Sequence, residues 1–185
     1  MDQFSGDVQG FDKLIEELRR LPEQMQSRVM KGALATGANV IKREAVLLAP
    51  ESTGPVSEGH PPPGTLKRAI YAARLMDQCT TTLEVWKVGV RSGKRAQSVG
   101  KKGANLDAFY AGWVEHGHYA RVSKELGKDA KKAGRALGVA VWVQAQPFMR
   151  PAFETKKGEA VQAMQNYVRE RLPQVAALFN YLKAA

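Results

Sequence analysis

Two prolines, Pro147 and Pro151, constrain this chain more than any other feature of it. They lie in the stretch 146–154, Gln-Pro-Phe-Met-Arg-Pro-Ala-Phe-Glu, which follows an apolar run at 139–143 and opens a long amphipathic segment. Proline fixes its own φ, and Pro151 suits the first turn of a helix, where a missing N–H costs nothing. The stretch therefore predicts a rigid strand-to-helix corner that presents Phe148, Met149, Arg150 and Phe153. Phe148 and Phe153 are expected in the core. Arg150, flanked by the two prolines, is either solvated or suited to bidentate pairing of its guanidinium with a carboxylate.

Apolar periodicity supplies the rest of the framework. Leu14, Ile15, Leu18 and Leu21 recur at helical spacing before Pro22. A second, longer helix is predicted over 23–48, with one stripe of Met25, Val29, Ala33, Val40 and Leu47 and an adjacent one of Met30, Leu34, Ala38, Ile41, Ala45 and Leu48. Two stripes make a wider face than a single sheet contact needs. The small residues Gly32, Ala33, Ala35, Gly37 and Ala38 also permit a close backbone approach. The helix is either a deeply buried core element or one that packs on its own sheet and on a neighbouring subunit. Pro50 stops it, and 50–64 is too rich in Pro, Gly and Ser to be regular. Pro61, Pro62 and Pro63 read as a polyproline II spacer.

Strands are predicted at 66–75, 80–90 and 138–145, and a short helix at 107–115. The last helix is expected over 151–172, with Phe153, Val161, Met164 and Val168 inward, ending at Pro173 before a short terminal helix. Together these elements describe one α+β domain, residues 1–185. It has an antiparallel or mixed sheet of about four strands, packed by two long helices. Flexible excursions are expected at about 50–64, 92–105 and 119–138; the latter two are basic.

The net charge of +10 is unevenly placed. Residues 1–90 hold 11 Lys/Arg against 11 Asp/Glu, whereas 91–185 hold 17 against 7. Such asymmetry points to an acidic partner, nucleic acid or an acidic protein surface, or simply to solvated loops. The single cysteine, Cys79, excludes an internal disulfide and fits a reducing cytoplasm. No signal peptide and no membrane-spanning run is expected.

Positive signals for chemistry are weak. His116 and His118 flank a glycine, but no third ligand completes a metal set. No nucleophile elbow, P-loop, dinucleotide fingerprint or zinc-protease helix occurs. Neither an enzyme nor a bound cofactor or metal is expected. Trp113 reads as core or as an interface anchor.

Three segments, in this order, carry a resemblance. Residues 59–70, Gly-His-Pro-Pro-Pro-Gly-Thr-Leu-Lys-Arg-Ala-Ile, are similar to a Pro-rich turn ending in G-x-L-x-x-S-I, with Ala69 in place of the serine. Residues 110–117, Tyr-Ala-Gly-Trp-Val-Glu-His-Gly, are similar to Y-A-x-x-V-E-x-G. The corner at 146–152 is similar to Q-P-F-x-R-P-A. A P-x-x-T-G element also stands at 50–54. With these, residues from about 8 to 172 resemble the neck family of long-tailed phages, small head–tail joining or minor tail proteins.

The resemblance implies a structural virion protein of the neck, assembled in the host bacterial cytoplasm. It would join the tail to the DNA-filled head as a ring, a hexamer by analogy, with its own copies and other neck, connector or tail-tube and terminator proteins as partners. Contact with packaged DNA is possible on this reading; contact with a membrane is not implied. The resemblance also implies that Glu115 is a polar anchor and Gly117 a turn backbone where a short helix becomes a loop. It makes Glu115 the best partner within the chain for Arg150, a partner on an adjoining subunit being the alternative. Interface or structural roles thus fall on Trp113, Glu115, Gly117, Phe148, Arg150, Pro151, Phe153, Ala35 and Ala38. A basic nucleic-acid-binding module is the rival class. The basic stretches lack interleaved aromatics for base stacking, which counts against it.

Overall fold

The computed structural model describes residues 23–51, 61–80, 83–98, 106–121 and 140–184, together with Glu16 and Arg19. In chain order its elements are α1 (Glu23–Leu48), α2 (Thr65–Ala69), β1 (Ile70–Arg74) and a 3-10 turn (Met76–Gln78). There follow β2 (Trp86–Val90), a second 3-10 turn (Lys94–Ser98), α3 (Ala111–His116), β3 (His118–Arg121), β4 (Ala140–Val143) and α4 (Met149–Ala184). Two compact units are present. One combines Met1–Leu47, Ile70–Gly89 and Ala152–Ala185; the other combines Leu48–Ala69 and Val90–Pro151.

In the first unit, α1 and α4 pack side by side. Val29 and Ala33 of α1 and Val168 of α4 form a buried cluster, joined by Met30, Met164, Tyr167, Leu172 and Val175. The pairing is antiparallel: Gly32 faces Tyr167, Gly37 faces Met164, and Glu44 approaches Lys156 at 3.9 Å. The two glycines are needed for this approach, because a Cβ at either would overlap the Tyr167 ring or the Met164 side chain. The small-residue middle of α1 is thus used at least in part within the chain. Ala38 is buried and Ala35 half-buried. At the far end of α1 the expected stripes fail, since Leu47 and Leu48 are exposed.

The β1–β2 pair is tied to α1 by Glu84, whose carboxylate is nearly buried. Arg74 grips it with both Nε and Nη2, at 2.6 and 2.9 Å, and Ser27 of α1 donates its hydroxyl at 3.3 Å. The Arg74 hydrogen bond outweighs burial and holds the Glu84 carboxyl below its ordinary pKa. A buried charge needs this kind of pairing to be tolerated at all.

Several expectations are corrected. Among the described residues the four strands form two two-stranded sheets, β1–β2 and β3–β4, rather than one sheet. Residues 65–69 are helical, not extended. The Pro63-Gly64 turn, with Gly64 at φ 74°, closes onto Pro62 through the Thr65 N–H and hydroxyl and launches a helical turn. Pro63 accordingly belongs to a turn with Gly64 rather than to the expected polyproline II spacer. Pro173 does not end the last helix, which continues to Ala184. Leu172 and Val175 pack on the core on either side of the proline, and that burial offsets its lost hydrogen bond. β3 occupies the start of a segment expected to be irregular, and residues 94–98 form a 3-10 turn within another. Most of 11–21, 52–60, 99–105 and 122–139 lie outside the described residues, although Glu16 and Arg19 are helical. Among the described residues no helix is long and apolar enough to cross a membrane.

A carboxylate-clamped corner and its exposed aromatic rings as a candidate interface

The second unit assembles around one carboxylate. A helix leaves the N–H groups of its N-cap and first three residues without intrahelical partners. In α4 those positions are Phe148, Met149, Arg150 and Pro151, and Pro151 has no N–H to satisfy. Glu115 meets the other three: Oε2 accepts from the amides of Phe148 and Met149 at 2.8 and 2.9 Å, and Oε1 from that of Arg150 at 3.0 Å. Next to it, the Val114 carbonyl accepts the Gln146 N–H at 2.8 Å. A distant glutamate therefore does what a capping side chain does locally, and its negative charge sits on the positive end of the helix dipole. Burial pushes the Glu115 carboxyl pKa up. The amides of Met149, Phe148 and Arg150, with His116, outweigh that and hold it below the ordinary value.

This corrects the expected chemistry of the Glu115–Arg150 pair. The two residues do meet, but Glu115 takes the backbone N–H of Arg150, while the Arg150 side chain is exposed. The reason is geometric. The helix start presents fixed donors at the end of a dipole, whereas a guanidinium left in water keeps its hydration and its rotamer freedom. Phe148 is buried as expected, whereas Phe153, at 37% exposure, is not a core residue. Pro151 is half-buried in the first turn of α4.

Gly117 joins α3 to β3 at φ 76° and ψ 166°, a conformation essentially confined to glycine. A Cβ there would also lie 2.6 Å from the Trp142 ring and 2.9 Å from the Val143 carbonyl. The residue is thus a turn backbone pressed against β4. From it the β3–β4 ribbon runs antiparallel, pairing His118 with Val143, Tyr119 with Trp142, Ala120 with Val141 and Arg121 with Ala140. Two of the three segments singled out by resemblance also meet through Tyr110. Burial raises its phenol pKa, opposed by a hydrogen bond with the Leu66 backbone.

What this scaffold holds outward is aromatic. Phe109, Trp113, Tyr119 and Trp142 are 56%, 50%, 70% and 52% exposed. Trp113 stacks on His118 with centroids 5.2 Å apart and meets Phe109 edge-on at 5.6 Å. Tyr119 and Trp142 meet at 4.9 Å across the ribbon. Trp113, left open between core and interface by its sequence, is therefore a surface residue. Phe109, Tyr119 and Trp142 were not singled out by sequence. The available signal was a Tyr and a Trp facing each other across a long intervening segment, which shows only once the register is known. Among the described residues, buried His118 Nδ1 and Trp86 Nε1 find no hydrogen-bond partner. Among the described residues no group of three or more His, Cys, Asp or Glu side chains comes together.

The arrangement suits binding more than bond-making: a locked backbone junction carrying half-exposed rings. A family model described as "Bacteriophage HK97-gp10, putative tail-component" matches residues 12–117, more than half of the chain. The matched range takes in Glu115 and Gly117 and ends before the corner at 146–154. No curated protein and no solved structure matches the chain.

Proposed function

Because the chain belongs to the HK97-gp10-like family of bacteriophage tail components, we propose that it is a structural protein of the phage neck, assembling as a ring that joins the tail to the DNA-filled head. The observation that carries this reading is the aromatic surface of the second unit, held on a junction that Glu115 and Gly117 immobilise. Rings that stay half in water are an expense for a solitary protein and an asset for one whose partners cover them. In this account the chain acts by shape and charge complementarity, with no turnover. Its copies form the ring, a hexamer by the resemblance to neck proteins, and other neck, connector, tail-tube or terminator proteins stack on it.

Native mass spectrometry of the purified protein, alone and with tails purified from particles made without it, tests the ring. A closed oligomer under either condition is expected. A protein that stays monomeric at high concentration and with those tails present contradicts it. A basic nucleic-acid-binding module is the second reading, favoured by the charge excess of residues 91–185. It requires DNA binding whose log K falls steeply with log salt.

A further inference from the structure

The core's hold on α4 changes at Pro173. Before the proline, Ala152, Ala160 and Val168 are fully buried. From the proline on, Pro173, Gln174 and Ala177 are exposed, and Val175 and Ala176 are only partly buried. Val175 packs on the cluster of Val29, Ala33 and Val168 from its margin. The backbone weakens at the same place. Pro173 has no N–H for the Arg169 carbonyl and its ring crowds that carbonyl, while Leu172, as the residue before a proline, is held in a helical conformation it disfavours. Arg171 spans this break. Its Nη1 donates to Gln174 Oε1 at 2.9 Å, and its guanidinium carbon lies 5.8 Å from the centroid of the Tyr167 ring, which itself rests on Gly32 of α1. One side chain thus ties the turn before the proline to the turn after it.

We propose that the last turns of α4, residues 174–184, are a latch. They close on the core through Val175, are braced across Pro173 by Arg171, and release as one piece while the rest of α4 stays folded. Two features set the line of release at the proline: the hydrogen-bond ladder is interrupted there, and the burial that holds the helix ends within a turn of it. Once released, a helix this short does not hold itself together in water. Its amides are therefore exposed to solvent together, and the side of the Val29, Ala33 and Val168 cluster that Val175 covers is opened. All the residues involved lie in the unit of Met1–Leu47, Ile70–Gly89 and Ala152–Ala185. The device stands apart from the neck reading and needs no partner to operate.

Amide hydrogen exchange of the full chain, resolved by NMR at several urea concentrations below the unfolding transition, tests this. In the wild type, the amides of 174–184 are expected to exchange as one group, about 100-fold or more faster than those of 160–168. Their rates should barely respond to urea, because little surface is uncovered, whereas those of 160–168 should rise with it. Arg171→Ala should speed the group by about threefold, the effect of losing an exposed cation–π contact and one side-chain hydrogen bond. Pro173→Ala, which restores the missing N–H, should slow it by about tenfold or more. Residues 174–184 exchanging at the rate and with the urea response of 160–168 would show that α4 opens only with the whole unit, and would overturn the proposal. Exchange of 174–184 at the rate of an unstructured peptide would overturn it too, since the latch would never be closed. So would a group rate that Pro173→Ala or Arg171→Ala leaves unchanged, which would remove the hinge or the brace.

Discussion

Replacing Glu115 by alanine removes the acceptor of three first-turn amides in α4 at once. Taken singly, a hydrogen bond to a charged group contributes about 1.5–3 kcal/mol. Three such contributions do not add here, because the corner borders solvent and water replaces part of what is lost. A firmer figure comes from the helix terminus itself. Loss of a cap costs about 0.5–2 kcal/mol, and loss of a negative charge at a helix N-terminus costs up to about 2 kcal/mol in a partly buried setting. Together these place Glu115→Ala at about 1–4 kcal/mol, or a fall in Tm of about 2–15 °C for a chain of this length. Glu115→Gln keeps one acceptor oxygen and should lose about half as much by the same reasoning. Arg150→Ala touches only an exposed side chain and should stay within about 0.5 kcal/mol.

The pH dependence has a fixed sign. The Glu115 carboxyl pKa is lowered in the folded state, so its contribution is complete above the unfolded value of about 4.3 and is lost as pH falls through the folded value. The Tm gap between wild type and Glu115→Gln should therefore be widest near neutrality and shrink toward pH 3. Thermal melts followed by circular dichroism from pH 7 to 3 measure all of this. A Glu115→Ala protein as stable as wild type, or an Arg150→Ala protein as weakened as Glu115→Ala, would refute the capping argument.

Gly117→Ala should cost about 2–4 kcal/mol, combining backbone strain with collision against the Val143 carbonyl, whereas Gly158→Ala, with open space at its Cβ inside α4, should stabilise by about 0.5–1 kcal/mol; urea unfolding of both compares them directly. Arg74→Ala leaves the Glu84 carboxylate nearly buried without its main partner and should lower the urea midpoint; an unchanged midpoint would mean that Ser27 and Lys31, whose Nζ lies 3.9 Å from Glu84 Oε1, suffice. Val168→Ala removes two methylene equivalents from a closed core at about 0.8 kcal/mol each, plus a cavity cost, and should lose about 2–3 kcal/mol; Arg169→Ala, one residue on and exposed, is the control and should lose almost nothing.

The sequence was most legible where one local rule governs. The bounds read for the helix at 23–48 matched α1, although its apolar stripes failed at Leu47 and Leu48, and Pro147–Pro151 marked a true corner. It misled where tertiary contacts outweigh a local rule. Pro173 would stop an isolated helix, but packing by Leu172 and Val175 carries α4 past it. Periodicity also marks strands without naming their partners, so β1–β2 and β3–β4 read as one sheet. At the site, the resemblance brought Glu115 and Arg150 together, and side-chain chemistry then suggested an ion pair. The structure uses the backbone, because a helix start always offers donors and no sequence pattern shows which side chain reaches them. The exposed ring pair of Tyr119 and Trp142 depends on β3–β4 register, which alternation over four residues cannot define.

The central claim is that this protein joins head to tail. Electron microscopy of lysates from a phage lacking it tests that most directly. Filled heads and finished tails are expected to accumulate separately and to join into infectious particles once purified protein is added. Joined, infectious particles in its absence would contradict the account.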